Sequence, residues 1–254
     1  MTLKNNTVLV VGANGRIGSV IAKRLLEEGA NVIAADITLE NLKKNDFKEY
    51  KEQFLKIEMD ITNKESIEKV FEFALSKFEK IDSAINSSYP KGHEYGKHFF
   101  DVSYDAFTKN LSLHVGGFFL FMQICAKYSL SSKQKFSLLN FSSIYGNIAP
   151  RFEIYEDTDM TTPVEYAAMK SAIQHLSQYV SAYTKNSKFR VNCISPGGIS
   201  DNQDSKFLAN YKKFSREKGM LDVEDLLGTV LYLISESSEY VCGQNIIVDD
   251  GFVV

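Results

Sequence analysis

Short uninterrupted apolar runs alternate with longer stretches in which apolar residues return every three or four positions. The runs Thr7–Val11, 31–35, 54–59, 81–86, Phe136–Phe141, 190–194 and Asn245–Val248 are apolar on both alternating faces, as strands buried on both sides must be. Between them the spacing predicts helices over 17–28, 39–45, 63–78, 103–129, 163–183 and 223–234. Ile17, Val20, Ile21 and Leu25 mark one face of the first helix; Ile67, Val70, Phe71 and Ala74 mark the third, with Asn63 placed as its N-cap. Residues 195–222 carry no clear period and read as a looser region. Seven alternations of strand and helix predict an α/β fold: a seven-stranded, doubly wound parallel sheet with helices on both faces. No linker, repeat or composition break divides the chain, so residues 1–254 are expected to form one domain.

Composition narrows the partners. With 44% hydrophobic and 24% charged residues, a net charge of −3 and both signs interspersed, the chain implies neither a nucleic-acid nor a membrane partner. The most apolar segment, residues 115–124, is too short to span a bilayer and reads as a buried helix face. No signal peptide is expected, because Met1-Thr-Leu-Lys-Asn-Asn6 runs straight into the first strand. Cys125, Cys193 and Cys242 are odd in number and widely spaced, which fits a reduced, cytoplasmic setting without structural zinc. His93 and His98 share a polar loop with no convergent carboxylate or cysteine, so no metal site is expected there.

Chemistry concentrates in the loops after the strands. The first strand opens into Val11-Gly-Ala-Asn-Gly-Arg-Ile-Gly18 and then a helix. Gly12, Gly15 and Gly18 permit a tight turn, close backbone approach and close helix–strand packing, so a phosphate can rest on the helix N-terminus. Asn14, Arg16 and Ile17 belong to the same loop, and Arg16 is placed to reach a phosphate. Asp36 ends the second strand, positioned to accept from two ribose hydroxyls and to repel a 2′-phosphate, which favours NAD over NADP. Asp60 and Ile61 follow the third strand, while Asn86 ends the fourth and Ser87 follows it. At the carboxyl ends of successive parallel strands, they line the crevice where such sheets bind ligands. Tyr166 and Lys170 lie four residues apart on one helix face. A nearby ammonium favours phenolate, which would bring a phenol with an ordinary pKa of about 10 into a useful range for moving a proton.

In this order the motifs resemble the short-chain dehydrogenase/reductase family, in its single-domain Rossmann-fold branch of about 250 residues, over essentially the whole chain. The likeness is carried by Gly12-x-x-Gly15-x-x-Gly18, by Phe141-Ser-Ser-Ile-Tyr-Gly146 with Ser143 at the catalytic position, and by Tyr166-x-x-x-Lys170. Asn110 in Lys109-Asn-Leu-Ser-Leu113, Asn192-Cys-Ile-Ser-Pro-Gly197 and Gly243-Gln-Asn-Ile-Ile-Val-Asp-Asp-Gly251 complete it. The resemblance implies hydride transfer between an alcohol and NAD, with Tyr166 as the base in oxidation and the acid in reduction. It implies that Lys170 holds the nicotinamide ribose, that Ser143 hydrogen-bonds the reacting oxygen, and that Asn110 holds a water linking Lys170 to solvent. Pro196, Gly197 and Ile199 would brace the nicotinamide carboxamide.

The chain departs from that pattern in four places. The glycine spacing is nearer a longer-subunit branch; Asn86-Ser-Ser-Tyr89 replaces the usual Asn-Asn-Ala-Gly; and Asp250-Gly251 replaces a double glycine. The gap from Ser143 to Tyr166 is also longer than usual. Its filling, residues 147–165, holds Arg151, Glu153, Glu156, Asp157 and Asp159 and is expected to lie over the site and select a polar substrate. The motif set with this insertion resembles a branch attached to bacterial surface-sugar pathways, so the expected substrate is a carbohydrate. A sugar-nucleotide epimerase or dehydratase, and a non-catalytic NAD-binding protein, remain as alternatives. A homodimer or homotetramer is expected, because Phe118, Phe119 and Phe121 on the helix over 103–129 would be hard to leave in water.

Overall fold

The computed structural model describes residues 3–40, 42 and 44–254, the side chains of 44–46 excepted. Seven strands, β1 (Thr7–Val11), β2 (Asn31–Asp36), β3 (Phe54–Glu58), β4 (Ser83–Asn86), β5 (Phe136–Phe141), β6 (Phe189–Pro196) and β7 (Asn245–Val248), form one all-parallel sheet in the order β3-β2-β1-β4-β5-β6-β7. Six helices cover it: α1 (Arg16–Glu27), α2 (Lys64–Phe78), α3 (Tyr104–Ser132), α4 (Val164–Tyr183), α5 (Ser205–Lys212) and α6 (Leu227–Ile234). The pleat divides each strand between two cores. Val8, Val10, Val32 and Ala34 point to the side of α1 and α6, while Leu9, Val11, Ile33 and Ala35 point to the side of α2, α3 and α4.

Local signals set the helix ends. The Asn63 side chain accepts from Ser66 N at 2.9 Å to start α2, and Ser103 Oγ accepts from Ala106 N at 3.1 Å to start α3. Glu79 and Lys133 close these helices in the left-handed region. The short helix expected over 39–45 falls partly outside the described residues, and what is described there is a 3₁₀ stretch, Lys44–Tyr50. The helix expected over 223–234 is a 3₁₀ turn (Val223–Leu226) running into α6. Helix α5, read from sequence as loop, is started by Asp204, whose side chain accepts from Lys206 N and Phe207 N.

Phe118 and Phe121 do not face solvent. Both are wholly buried between α3 and the sheet, Phe121 edge-on to Phe71 of α2, and only Phe119 of the three is exposed. No helix among the described residues is long and apolar enough to cross a membrane. The strand order reverses direction between β1 and β4, where Val11 and Asn86 pair in register. That switch point opens the crevice that holds the chemistry.

Candidate active site

The loop after β1 is shaped by steric need. Gly12 has φ +79°, and a Cβ there would sit 2.7 Å from Ser88 N; a Cβ at Gly18 would sit 2.1 Å from Gly12 O. The loop therefore lies flush against the β4 loop, and Ser87 locks the two together by donating to Val11 O from its amide and its hydroxyl, both at 2.9 Å. Gly15 caps α1 without a side-chain bond, and the first turn of α1 carries no acid. Its amides and the positive end of the helix dipole are thus open to an anion. Asp36 Oδ2 accepts from Asn14 N at 2.9 Å, which places the carboxylate at the wall of the cleft. Gly12, Asn14, Gly15, Asp36, Asp60, Ile61 and Ser87 line this cleft of about 380 Å³. Asp60 also shapes its own turn, its Oδ1 accepting from Thr62 N and Oγ1. The glycine contacts, the open helix end and Asp36 together fit a dinucleotide.

Three assigned cofactor residues sit differently from the rest. Gly18 lies behind the loop as a packing contact. Asn86 is buried, its Oδ1 accepting from Ser88 N and Oγ, so it shapes the cleft floor. Arg16 reaches across the mouth to Asp201 at 2.8 Å, with both side chains well exposed; it is paired with a carboxylate instead of being poised over the phosphate site.

A second cavity of about 360 Å³ continues from the first and is lined by Ile17, Ser87, Ser143, Tyr166, Lys170, Pro196, Gly197 and Ile199. Ser143 follows β5 and lines the same cavity wall as the Tyr166 phenol. Lys170 is buried and donates from Nζ to Phe141 O at 3.0 Å, with Nζ 5.6 Å from the centre of the Tyr166 ring. Burial pushes Lys170 down to about 7, and burial likewise raises Tyr166 above its ordinary 10 despite the opposing pull of the Ser143 hydroxyl. The sequence argument that the ammonium would lower the tyrosine is thus reversed in this state. The ammonium lies over the ring, while desolvation acts on both groups and favours the neutral form of each.

Asn110 does not join that cluster through any described contact. Its Oδ1 accepts from Gly92 N at 2.7 Å and its Nδ2 donates to the buried Glu165 Oε1 at 3.2 Å, so it ties the β4 loop to the start of α4. Two groups that the sequence reading missed stand closer to the chemistry. Gln174 Nε2 contacts Ser142 Oγ, Ser143 O, Asn147 Oδ1 and Ser195 Oγ within 3.2 Å, binding the ends of β5 and β6 together. Its place one turn beyond Lys170 was the available signal. Tyr89 lies edge-on to Tyr166 at 5.9 Å, and its hydroxyl hydrogen-bonds that of Tyr95.

The insertion at 147–165 folds over the site but turns four of its acids outward, Glu165 at its end being buried. Glu153, Glu156, Asp157 and Asp159 are exposed, and Asp157 pairs with Lys206. Inward it offers Ile154 and Tyr155, the latter 5.3 Å from Phe207 of α5. Arg151 faces the chain terminus, donating to Phe252 O and lying 4.8 Å over the Phe214 ring. Where a glycine pair was expected, Asp250 takes φ +55° and its Oδ2 accepts from the amides of Glu217, Lys218 and Gly219, so a left-handed residue is kept with a different side chain.

Known proteins share this arrangement. The family model described as enoyl-(acyl carrier protein) reductase matches residues 12–253. The chain is 41% identical over 255 residues to post-translational flagellin modification protein A of Campylobacter coli, covering 98% of this chain and 99% of that protein. It is 27% identical over 270 residues to glucose 1-dehydrogenase 2 of Bacillus subtilis, covering 99% and 96%. Among solved structures, a short chain dehydrogenase from Leptospira borgpetersenii with bound NAD+ superposes with a TM-score of 0.88 at 33% identity, covering 99% of this chain and 94% of that one.

Proposed function

The chain belongs to the short-chain dehydrogenase/reductase family, and on that premise we propose that it is an NAD-dependent oxidoreductase interconverting a secondary alcohol and a ketone on a sugar or sugar-phosphate substrate used in building a bacterial surface glycan. The observation that carries this reading is the convergence of Ser143, Tyr166 and Lys170 on one cavity continuous with the dinucleotide cleft. NAD would be held by the α1 amides, by Asp36 at its ribose and by Pro196, Gly197 and Ile199 at its far end, and when bound it supplies the hydride acceptor. Ser143 donates to the reacting oxygen and steadies its developing charge. Tyr166 takes the hydroxyl proton in oxidation and returns it in reduction. Lys170, anchored by Phe141 O, holds positive charge beside the ring and favours the phenolate once charged.

A carbohydrate suits the lining. Tyr89, Tyr145 and Tyr166 line the cavity, with Tyr155 hydrogen-bonded to Tyr145 and Tyr211 in the same cluster. Such groups match a ring that is apolar on its C–H faces and polar at its edges. The name of the Campylobacter coli relative points the same way. The exposed Phe119 and Leu130 of α3 and Tyr179 and Tyr183 of α4 support a homo-oligomer built on these two helices, and three free cysteines support a reducing, cytoplasmic setting.

Following NADH absorbance across sugars, sugar phosphates and apolar alcohols tests the reading. Turnover of sugar-type substrates is expected. Reaction with apolar alcohols alone would overturn the substrate class, and a configurational change without net NADH would mark an epimerase. Tyr166→Phe should lose at least about 100-fold in kcat while binding NADH as before by calorimetry. Retention of more than a few per cent of wild-type activity removes Tyr166 from its role.

A further inference from the structure

Helix α3 carries two wholly buried polar side chains one turn apart, Asn110 and His114. Both polar atoms of the Asn110 side chain have a partner, in Gly92 and Glu165. His114 has one such atom left over. Its ring stacks on Phe118 at 5.0 Å and meets Tyr89 edge-on at 5.1 Å, and its Nδ1 lies 3.3 Å from Pro90 O. A carbonyl only accepts, so the proton sits on Nδ1 and Nε2 is a bare lone pair. That Nε2 is buried without a hydrogen-bond partner. Burial, with the charge of Lys170 next, pushes the ring down to about 3, so the imidazole stays neutral.

Lys170 shares the same walls, its Nζ lying 5.4 Å from the Tyr89 centroid and 5.8 Å from that of Phe118. An ammonium has three N–H donors, and one is given to Phe141 O. A donor-rich ammonium and an unmatched acceptor buried against the same two rings are costly unless something joins them. A water with partners on both sides joins them at little cost.

We propose that His114 is the proton-relay partner of Lys170, its Nε2 fixing a water that accepts a hydrogen bond from Lys170 Nζ. The proposal rests on the hydride-transfer reading above. Each alcohol oxidised leaves one proton on Tyr166. As Tyr166 gives that proton up, Lys170 gains one and passes another to the water, so its charge is unchanged, and the water delivers one proton towards solvent. His114 does not carry the proton, because its Nδ1–H is committed to a carbonyl that cannot take it. It is a positioning residue.

The first test needs no substrate. Nitrogen-15 histidine NMR on the intact protein, assigned with His114→Asn, should show a neutral Nδ1–H imidazole throughout the range around pH 6.5 in which an ordinary histidine titrates, with an Nε2 resonance that moves in Lys170→Met. An imidazolium, a proton on Nε2, or no response to Lys170→Met overturns the assignment. For turnover, His114→Leu should lose about 10-fold or more in kcat with NAD affinity kept. His114→Asn, which keeps an acceptor, should lose less, and added imidazole should restore part of the activity of His114→Ala. A purely structural role would show neither rescue. If folded His114→Leu stays within about twofold of wild type, the relay is wrong and the hydride-transfer reading stands. If His114→Leu does not fold, the two rescue variants decide. A wild-type protein that never forms NADH sinks the hydride-transfer reading instead, and the NMR result then still decides the tautomer.

Discussion

Lys170 and Tyr166 are each held towards the neutral form, and this has a measurable pH signature. Lys170 is pushed from its ordinary 10.5 down to about 7. Its folded pKa lies below its unfolded one, so between about pH 7 and 10.5 the unfolded chain binds the extra proton. This group's cost is therefore full below that window, and stability attributable to it rises with pH across it. Urea unfolding should show wild type gaining on Lys170→Met from about pH 7 upward; a pH-independent difference would contradict the burial-driven shift. Asp36 makes the second residue-level prediction. Asp36→Ala removes a carboxylate that also holds Asn14 N, so NAD affinity should fall roughly 10-fold or more while NADP loses less. Calorimetry with both nucleotides checks this, and an unchanged NAD:NADP ratio would rule Asp36 out as the discriminator. Tyr166, Lys170, Ser143 and Asp36 were legible because residue type and spacing are properties of the chain. The direction of the Tyr166 shift was not, because desolvation belongs to the folded surroundings.

At the scale of elements, the glycine loop, α3, α4 and the insertion decide how the site is built. Gly18→Ala forces a Cβ to 2.1 Å from Gly12 O, backbone against backbone, and should cost on the order of 1–3 kcal/mol with loss of NAD binding. Gly228→Ala in α6, where a Cβ meets nothing within 4 Å, should instead stabilise by about 0.5–1 kcal/mol. Thermal unfolding of the pair tests the contrast; equal effects would mean the loop yields. Strands β1, β5 and β7 were read to the residue, since their apolar runs are bounded sharply. Helix α5 was missed because its packing face, Phe207 and Tyr211, finds partners such as Tyr155 and Phe252 far away in the chain. The acids of the insertion were read as substrate-facing for the same reason: composition does not show which side of a loop meets the cavity.

For the whole molecule, the reversal of strand order at β1 and β4 aligns the two cavities into one path from Asp36 to Tyr166. The outer helices expose Phe119, Leu130, Tyr179 and Tyr183, and Tyr179 and Tyr183 stack at 6.3 Å. Light scattering at micromolar concentration should give a dimer or tetramer, and Phe119→Asp combined with Tyr183→Asp should shift it to smaller species. A wild-type monomer would remove the interface from these helices.

The amino-acid order alone determined the alternating α/β architecture, the phosphate-binding loop and the Tyr166–Lys170 pair, because period, glycine placement and i,i+4 spacing are local. Tertiary structure decided what those local facts meant in space. It buried Phe118 and Phe121, committed Asn110 to Gly92 and Glu165, turned Glu153, Glu156, Asp157 and Asp159 to solvent, and set His114 and Lys170 against the same Tyr89 and Phe118 rings. Each of these depends on which groups arrive from distant strands and helices to exclude water and to accept or refuse a hydrogen bond.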